Sequence, residues 1–222
     1  MKDNSINKQE HYEPRLDFQL DTTTPHSVFI LTNIKGCSRV LDIGCNVGYF
    51  AEPITELGIE YVGIDNSPGC IEHAKQRYSQ VQFIEGDAEY LLNFIGKNSF
   101  DGVIASEVIE HVINPKRFLV GIFEILKPNG KLVLTSQNSN GIQLRIRALL
   151  GRYRWDRTHF RLYSKVELAH DVTSAGFKVK KSIVIPFSKK GQGGIFRLAA
   201  HYFSKIFKNA GWTIGIVAEK VQ

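Results

Sequence analysis

Cysteine is scarce in this 222-residue chain, and the three present, Cys37, Cys45 and Cys70, are an odd number with no Cys-x-x-Cys spacing. A disulfide framework is therefore not the basis of the fold, and a reduced, cytosolic compartment is the simplest expectation. Long apolar runs are missing as well. None approaches the roughly 18 residues that a membrane-spanning helix needs, and Met1-Lys2-Asp3-Asn4-Ser5 lacks the apolar core of a signal peptide. No internal repeat or low-complexity tract is evident. What is present is an ordinary globular composition, 43% hydrophobic and 23% charged, at a length that suits one large domain or one domain with an insertion. Such a chain buries a substantial core without disulfide or metal staples.

The net charge of +6 is unevenly placed. Residues 141–161 carry Arg145, Arg147, Arg152, Arg154, Arg157 and Arg161 against Asp156 alone. Residues 187–208 carry Lys189, Lys190, Arg197, Lys205 and Lys208 with no acid, so the rest of the chain is net acidic. Basic character confined to two segments points to an anionic partner or surface.

The first dozen residues are polar. Thr24 can cap a helix that has Pro25 at its first position. After Gly36, strands and helices alternate. Arg39–Ile43, Glu60–Ile64, Val81–Ile84, Phe100–Ala105 and Lys131–Thr135 are predicted strands. Helices are predicted after Gly48, over Pro68–Tyr78, briefly over Ala88–Ile95, and over Pro115–Leu126, where Phe118, Leu119, Ile122, Phe123 and Leu126 share a face. Pro128-Asn129-Gly130 predicts a turn. Ser164 and Glu167 have capping-box spacing for a helix that Gly176 ends. Lys178–Ile185 and Trp212–Glu219 are further strand candidates, separated by an insert too long for a tight turn. The expected organisation is an N-terminal cap and helix over residues 1–35. A domain over 36–222 follows, with basic inserts at about 141–158 and 187–211. Strand–helix alternation implies a parallel sheet covered on both faces, with ligands at the carboxyl ends of its strands.

The loop after the first strand, Leu41-Asp42-Ile43-Gly44-Cys45-Asn46-Val47-Gly48, is the prime ligand site. A dinucleotide loop prefers Gly-x-Gly-x-x-Gly. Here Asn46 and Tyr49 stand where glycines would bring backbone close to a pyrophosphate, and Asp42 would repel phosphate. A carboxylate there favours a cationic ligand, directly or through water. The helix start beyond Gly48 can accept that ligand's own carboxylate. A plain glycine turn is the alternative. Asp65 ends the second strand and can accept ribose hydroxyls, or cap the helix starting near Ser67. Asp87 can take the adenine amino group while Ala88 N–H serves the ring, or Asp87 can simply cap the next helix.

Together these segments are specific. Val40–Phe50 resembles motif I of the class I S-adenosylmethionine-dependent methyltransferases. Asp65, with Asn66 beside it, matches the family's ribose position, and Asp87-Ala88 its adenine position. Phe100–Ser106 and Leu126-Lys127-Pro128-Asn129-Gly130 followed by Lys131–Leu134 resemble its fourth and fifth strand motifs. The likeness is strong over residues 36–136 and looser over 159–186. It implies an α/β, Rossmann-like fold: a seven-stranded, mostly parallel sheet with helices on both faces and an antiparallel last strand. It implies S-adenosylmethionine as cofactor, with S-adenosylhomocysteine as product. It also places Asp42, Gly44, Cys45, Asn46, Gly48, Phe50, Asp65, Asn66, Asp87, Ala88 and Ser106 at the cofactor.

The acceptor side follows the fourth strand, in Ser106-Glu107-Val108-Ile109-Glu110-His111. His111 can act as a general base with Glu107 on the same side of a turn. The Glu-x-x-Glu-His spacing also resembles metal-binding runs of ubiquinone-pathway O-methyltransferases and small-RNA 2′-O-methyltransferases. Glu107, Glu110 and His111 as ligands of a divalent ion are thus the alternative to a metal-free site, and plain structural support is a third possibility. His159, in Thr158-His159-Phe160-Arg161-Leu162-Tyr163-Ser164, can reach the acceptor and Arg161 can hold an anionic group on it. Loop packing is the competing role. Ile142, Ile146, Leu149 and Leu150 form an apolar stripe in the first insert. Residues 195–208 pair an apolar stripe with Arg197, His201, Lys205 and Lys208, which suits a membrane surface or ordinary packing.

The expected function is methyl transfer to an oxygen of a small or lipid-linked acceptor, in the cytoplasm with peripheral membrane contact as an option. An RNA methyltransferase is a second reading, although no RNA-binding module is legible. A non-catalytic cofactor-binding partner or sensor is a third. An NAD-dependent oxidoreductase is weakened by Asn46 and Tyr49.

Overall fold

The computed structural model describes residues 20–152, 158–186 and 211–221. Seven strands form one sheet in the order β3-β2-β1-β4-β5-β7-β6. They are β1 Arg39–Ile43, β2 Glu60–Asp65, β3 Gln82–Glu85, β4 Phe100–Ser106, β5 Leu126–Gln137, β6 Phe177–Ile185 and β7 Thr213–Lys220. The first five run parallel. β7 lies antiparallel between β5 and β6. The fold expectation, including the antiparallel last strand, holds.

Alternation within the strands supplies both faces. Leu41, Ile43, Val103, Ala105, Leu132 and Leu134 face one core, with Phe118, Leu119 and Ile122 of α4 (Pro115–Ile125) and Leu168 and Val172 of α6 (Lys165–Ser174). Val40, Ile104 and Val133 face the other, under α1 (Pro25–Asn33), α2 (Ala51–Thr55) and α3 (Pro68–Arg77). Burial on both faces is why these strands lack a polar side. The Thr24 cap of α1 and the Ser164–Glu167 capping box are both formed.

The predicted turn at residues 128–130 exists, but inside a longer strand. Phe100 pairs with Leu126 and Gly102 already with Lys131, so residues 127–130 bulge out of the ladder, with Asn129 at a φ of 63°. The apolar stripe on α5 (Ile142–Leu149) faces outward: Leu149 is 86% exposed and Leu150, just beyond the helix, 61%. The basic amphipathic stretch 195–208 lies outside the described residues. Among the described residues no helix is long and apolar enough to cross a membrane.

The sheet order reverses between β1 and β4, whose ends are adjacent, with Ile43 opposite Ala105. In open α/β sheets that crevice is where ligands bind.

Candidate cofactor and acceptor site

The loop leaving β1 is wound tightly. Gly44, Asn46 and Gly48 have φ values of 71°, 53° and 79°. Asn46 takes the left-handed region that favours glycine because asparagine tolerates it better than other side chains. A Cβ on Gly44 would sit 2.5 Å from Val108 Cγ2, so the loop after β4 rests on this bare backbone. All five amides of the loop are spent internally. Gly44 and Cys45 donate to Ile64 O, Asn46 to Asp65 Oδ2, Val47 to Asn46 Oδ1 and Gly48 to Cys45 O. A pyrophosphate-binding loop keeps such amides for its ligand. This one has none to give, which argues against a dinucleotide. It also removes these amides from the role of receiving a ligand carboxylate. Ala51 N, at the start of α2, is likewise bonded to Gly48 O.

Asp42 is buried beneath the loop, where the Tyr61 hydroxyl donates to its Oδ2 at 2.7 Å. Burial pushes its carboxyl up to about 7, the Tyr61 bond pulls it down, and the Asp65 charge raises it again. A buried acid short of countercharge suits a cation nearby. Asp65 accepts from Asn46 N and Ser67 N, both at 2.9 Å, and burial raises its carboxyl against those bonds. Ser67, not Asp65, caps α3. Asp87 does cap the 3-10 helix Ala88–Asn93 through Glu89 N. Asn66 is exposed beside Asp65. Two expected cofactor residues do not offer side chains: Cys45 and Phe50 are buried in the core under α2.

The loop after β4 carries the second half of the site. Glu107 has a φ of 56° and its amide donates to Thr135 O. Its carboxyl is held well above the ordinary range, by burial first and then by Glu110, against the bond from Thr135. Its Oε1 is buried without a partner among the described residues. Glu110 is buried, accepting from Ser136 Oγ at 3.0 Å and Gln137 N at 3.4 Å. His111 Nδ1 lies 3.1 Å from Thr158 O. A carbonyl only accepts, so Nδ1 carries the proton and Nε2 of the neutral ring keeps its lone pair. His159 meets His111 edge to face, with ring centroids 4.6 Å apart. Ligand atoms of Glu110, His111 and His159 all lie within 4.8 Å of one another. The expected trio of Glu107, Glu110 and His111 is thus not the one assembled: His159 takes the place of Glu107.

Arg161 does not face an acceptor. Its Nη1 and Nη2 donate to Val112 O and Ile113 O, both at 2.9 Å. One residue escaped the sequence reading altogether. His26 of α1 puts Nε2 3.1 Å from Thr135 Oγ1 and 3.2 Å from Ser106 Oγ. Burial lowers its pKa to about 4, so the ring is neutral. Nothing in its local spacing marks it, because its partners are 80 and 109 residues away.

Residues 15–182 match the model of a family described as a methyltransferase domain. The chain belongs to the class I S-adenosylmethionine-dependent methyltransferases. The chain is 32% identical over 170 residues to the ubiquinone biosynthesis O-methyltransferase of Azorhizobium caulinodans, covering 70% of this chain and 64% of that one. It is 36% identical over 126 residues to the mitochondrial ubiquinone biosynthesis O-methyltransferase of Schizosaccharomyces pombe, covering 55% and 44%. The match thus spans less than two thirds of either relative. Among solved structures, a SAM-dependent methyltransferase from Archaeoglobus fulgidus superposes with a TM-score of 0.64 at 24% identity, covering 86% of this chain and 90% of that one. The [4+2]-cyclase SpnF does so at 0.68 and 19%, covering 95% and 86%. The same fold therefore carries a chain named for another reaction, and the site must argue the chemistry.

Proposed function

We propose that this protein transfers the methyl group of S-adenosylmethionine to an oxygen of a small, lipid-linked acceptor. The observation that carries the oxygen assignment is His111, held through Nδ1 by Thr158 O and lying beside His159, on the loop whose Val108 packs on Gly44. Asp42 supplies the countercharge for the cofactor's ammonium. Asp65 receives the ribose hydroxyls, and Asp87 with Ala88 the adenine edge. Gly44 and Gly48 lack the Cβ that would meet Val108 and Phe83, which keeps the loop tight, and Ser106 borders the reacting end. The cofactor supplies an electrophilic methyl on a sulfonium. The protein must orient an acceptor oxygen for in-line attack and take its proton, and His111 Nε2 is placed to receive it. The relatives' names support oxygen as the acceptor atom. Exposed apolar residues near the site, Ile113 and Phe160, together with Leu149 and Leu150 beside Arg145 and Arg147, support an acceptor with an apolar tail.

A second reading has a divalent ion on Glu110, His111 and His159. Their proximity favours it, as does the Nδ1–H of His111 held by a carbonyl, the arrangement that fixes metal-binding histidines. Such an ion would lower the pKa of an acceptor hydroxyl.

Protein incubated with methyl-labelled S-adenosylmethionine and a total cell extract is expected to place label in the organic-extractable fraction. Label in RNA would replace this reading by the RNA one. Cofactor binding without label in any fraction would leave a sensor or partner subunit. Loss of transfer on chelation, restored by a divalent ion, supports the metal; transfer that survives chelation removes it.

Asp42 gives a pH test. Its folded pKa of about 7 exceeds its ordinary 3.8, so its contribution to apo stability is fully present below about 4 and is lost as pH rises through 7. His26 acts oppositely: with its pKa lowered to about 4 from 6.5, stability is lost as pH falls through that window. The two offset each other in the apo protein. An ammonium beside Asp42 favours its ionised form, so the rise in Tm caused by S-adenosylhomocysteine, which keeps the ammonium, should be larger at pH 8 than at pH 6, and Asp42→Asn should flatten the difference. A rise independent of pH in the unmutated protein would exclude the Asp42 role.

A further inference from the structure

The segment Val112–Asn114 joins the β4 loop to α4 without regular structure, and its peptide groups are held from two sides. Glu89 is buried, and its Oε1 and Oε2 accept from Ile113 N at 2.6 Å and Asn114 N at 3.0 Å. Arg161 donates to Val112 O and Ile113 O from the other side. An anion takes the N–H groups and a cation takes the carbonyls of the same short stretch. Bonds to charged groups are the strong class of hydrogen bond, and two per side fix orientation as well as distance.

The origin of the two charges matters more than their strength. Glu89 follows Asp87 and Ala88 directly, on the 3-10 helix that begins where the adenine edge is read. Arg161 lies two residues beyond His159, on the loop whose Thr158 O holds His111 and whose Phe160 N donates to Glu110 O at 2.8 Å. Buried backbone groups need partners, and water or a neutral side chain would satisfy them equally. Here the partners come from the cofactor loop on one side and the acceptor loop on the other.

We propose that Glu89 and Arg161 form a strut that couples the adenine end of the cofactor site to the geometry of His111 and His159. Both are positioning residues, and neither touches cofactor or acceptor. Cofactor bound against Asp87 and Ala88 restricts the 3-10 helix. Glu89 passes that restriction to Ile113 and Asn114, and Arg161 passes it to the loop bearing His159. Bound cofactor therefore restrains the acceptor site, which makes cofactor-first binding the productive order. This inference rests on the cofactor reading above.

Amide hydrogen exchange with S-adenosylhomocysteine as the probe tests it, with calorimetry measuring binding separately. In the unmutated protein the ligand should slow exchange in peptides covering 108–114 and 158–163 by tenfold or more. Glu89→Gln keeps one acceptor and the side-chain shape. It should bind the ligand within about threefold of the unmutated protein, yet lose the slowing in 158–163. Arg161→Met breaks the strut from the other end and should do the same, so the test stands if one variant fails to fold. Binding without slowing in the unmutated protein, or full slowing in a variant that binds, would overturn the strut and leave the cofactor reading intact. Absence of binding to the unmutated protein would overturn the cofactor reading, and the strut with it.

Discussion

Replacing Asp65 by alanine is expected to weaken S-adenosylhomocysteine binding by at least about a hundredfold, equivalent to roughly 2.7 kcal/mol. Two losses combine. The carboxylate accepts from Asn46 N and Ser67 N, so it ties the glycine loop after β1 to the start of α3. Without it two part-buried amides lose a charged acceptor, and bonds of that kind contribute about 1.5–3 kcal/mol each. The same carboxylate is the proposed partner of the ribose hydroxyls, which then have none. Asn46 suffers most, because its φ of 53° is held partly by that bond. Asp65→Asn retains one carbonyl oxygen and should fall between the two. Calorimetric titration of the folded variants measures this, and an alanine variant binding within threefold of the unmutated protein would detach Asp65 from the cofactor.

His111→Ala is expected to lower turnover by about 10²- to 10⁴-fold, the usual worth of a positioned acid–base group. Cofactor affinity should change by less than about threefold, since the contacts described for the His111 ring are with Thr158 and His159 and not with the glycine loop. The imidazole is set for this role by one bond, Nδ1–H to Thr158 O, which leaves Nε2 as the basic nitrogen. His159→Ala should show a smaller defect unless a metal is used, in which case the two losses should be similar. Rates with the labelled extract fraction, measured at saturating cofactor, separate these outcomes. Unchanged turnover in His111→Ala would exclude both base and ligand roles.

The proposed cofactor half of this site could be read from the sequence because its chemistry is local. Asp42, Asp65 and Asp87 lie at or just beyond the carboxyl ends of β1, β2 and β3, and strand ends of a parallel sheet converge on one edge. The acceptor half was only partly legible. Glu107, Glu110 and His111 are neighbours in sequence, yet the left-handed backbone at Glu107 turns its carboxyl away from His111 and toward Thr135 and Glu110. His159 enters instead, brought by hydrogen bonds between two loops whose residues lie 47 to 50 positions apart, a separation that no spacing rule reaches. Arg161 resembled an anion-binding residue because an arginine's partner cannot be read from its own neighbourhood. Two backbone carbonyls outcompete a ligand for it here. Phe50 was assigned to the cofactor through its motif, while its large apolar ring gains more from the core under α2.

The five amides that the protein spends on itself make the glycine loop a site for S-adenosylmethionine and not for a dinucleotide, on the reading proposed above. Calorimetric titration of the purified protein with S-adenosylhomocysteine and, separately, with NADH tests it most directly. One-to-one binding of S-adenosylhomocysteine with no heat from NADH is the predicted result; NADH binding with no response to S-adenosylhomocysteine would contradict it.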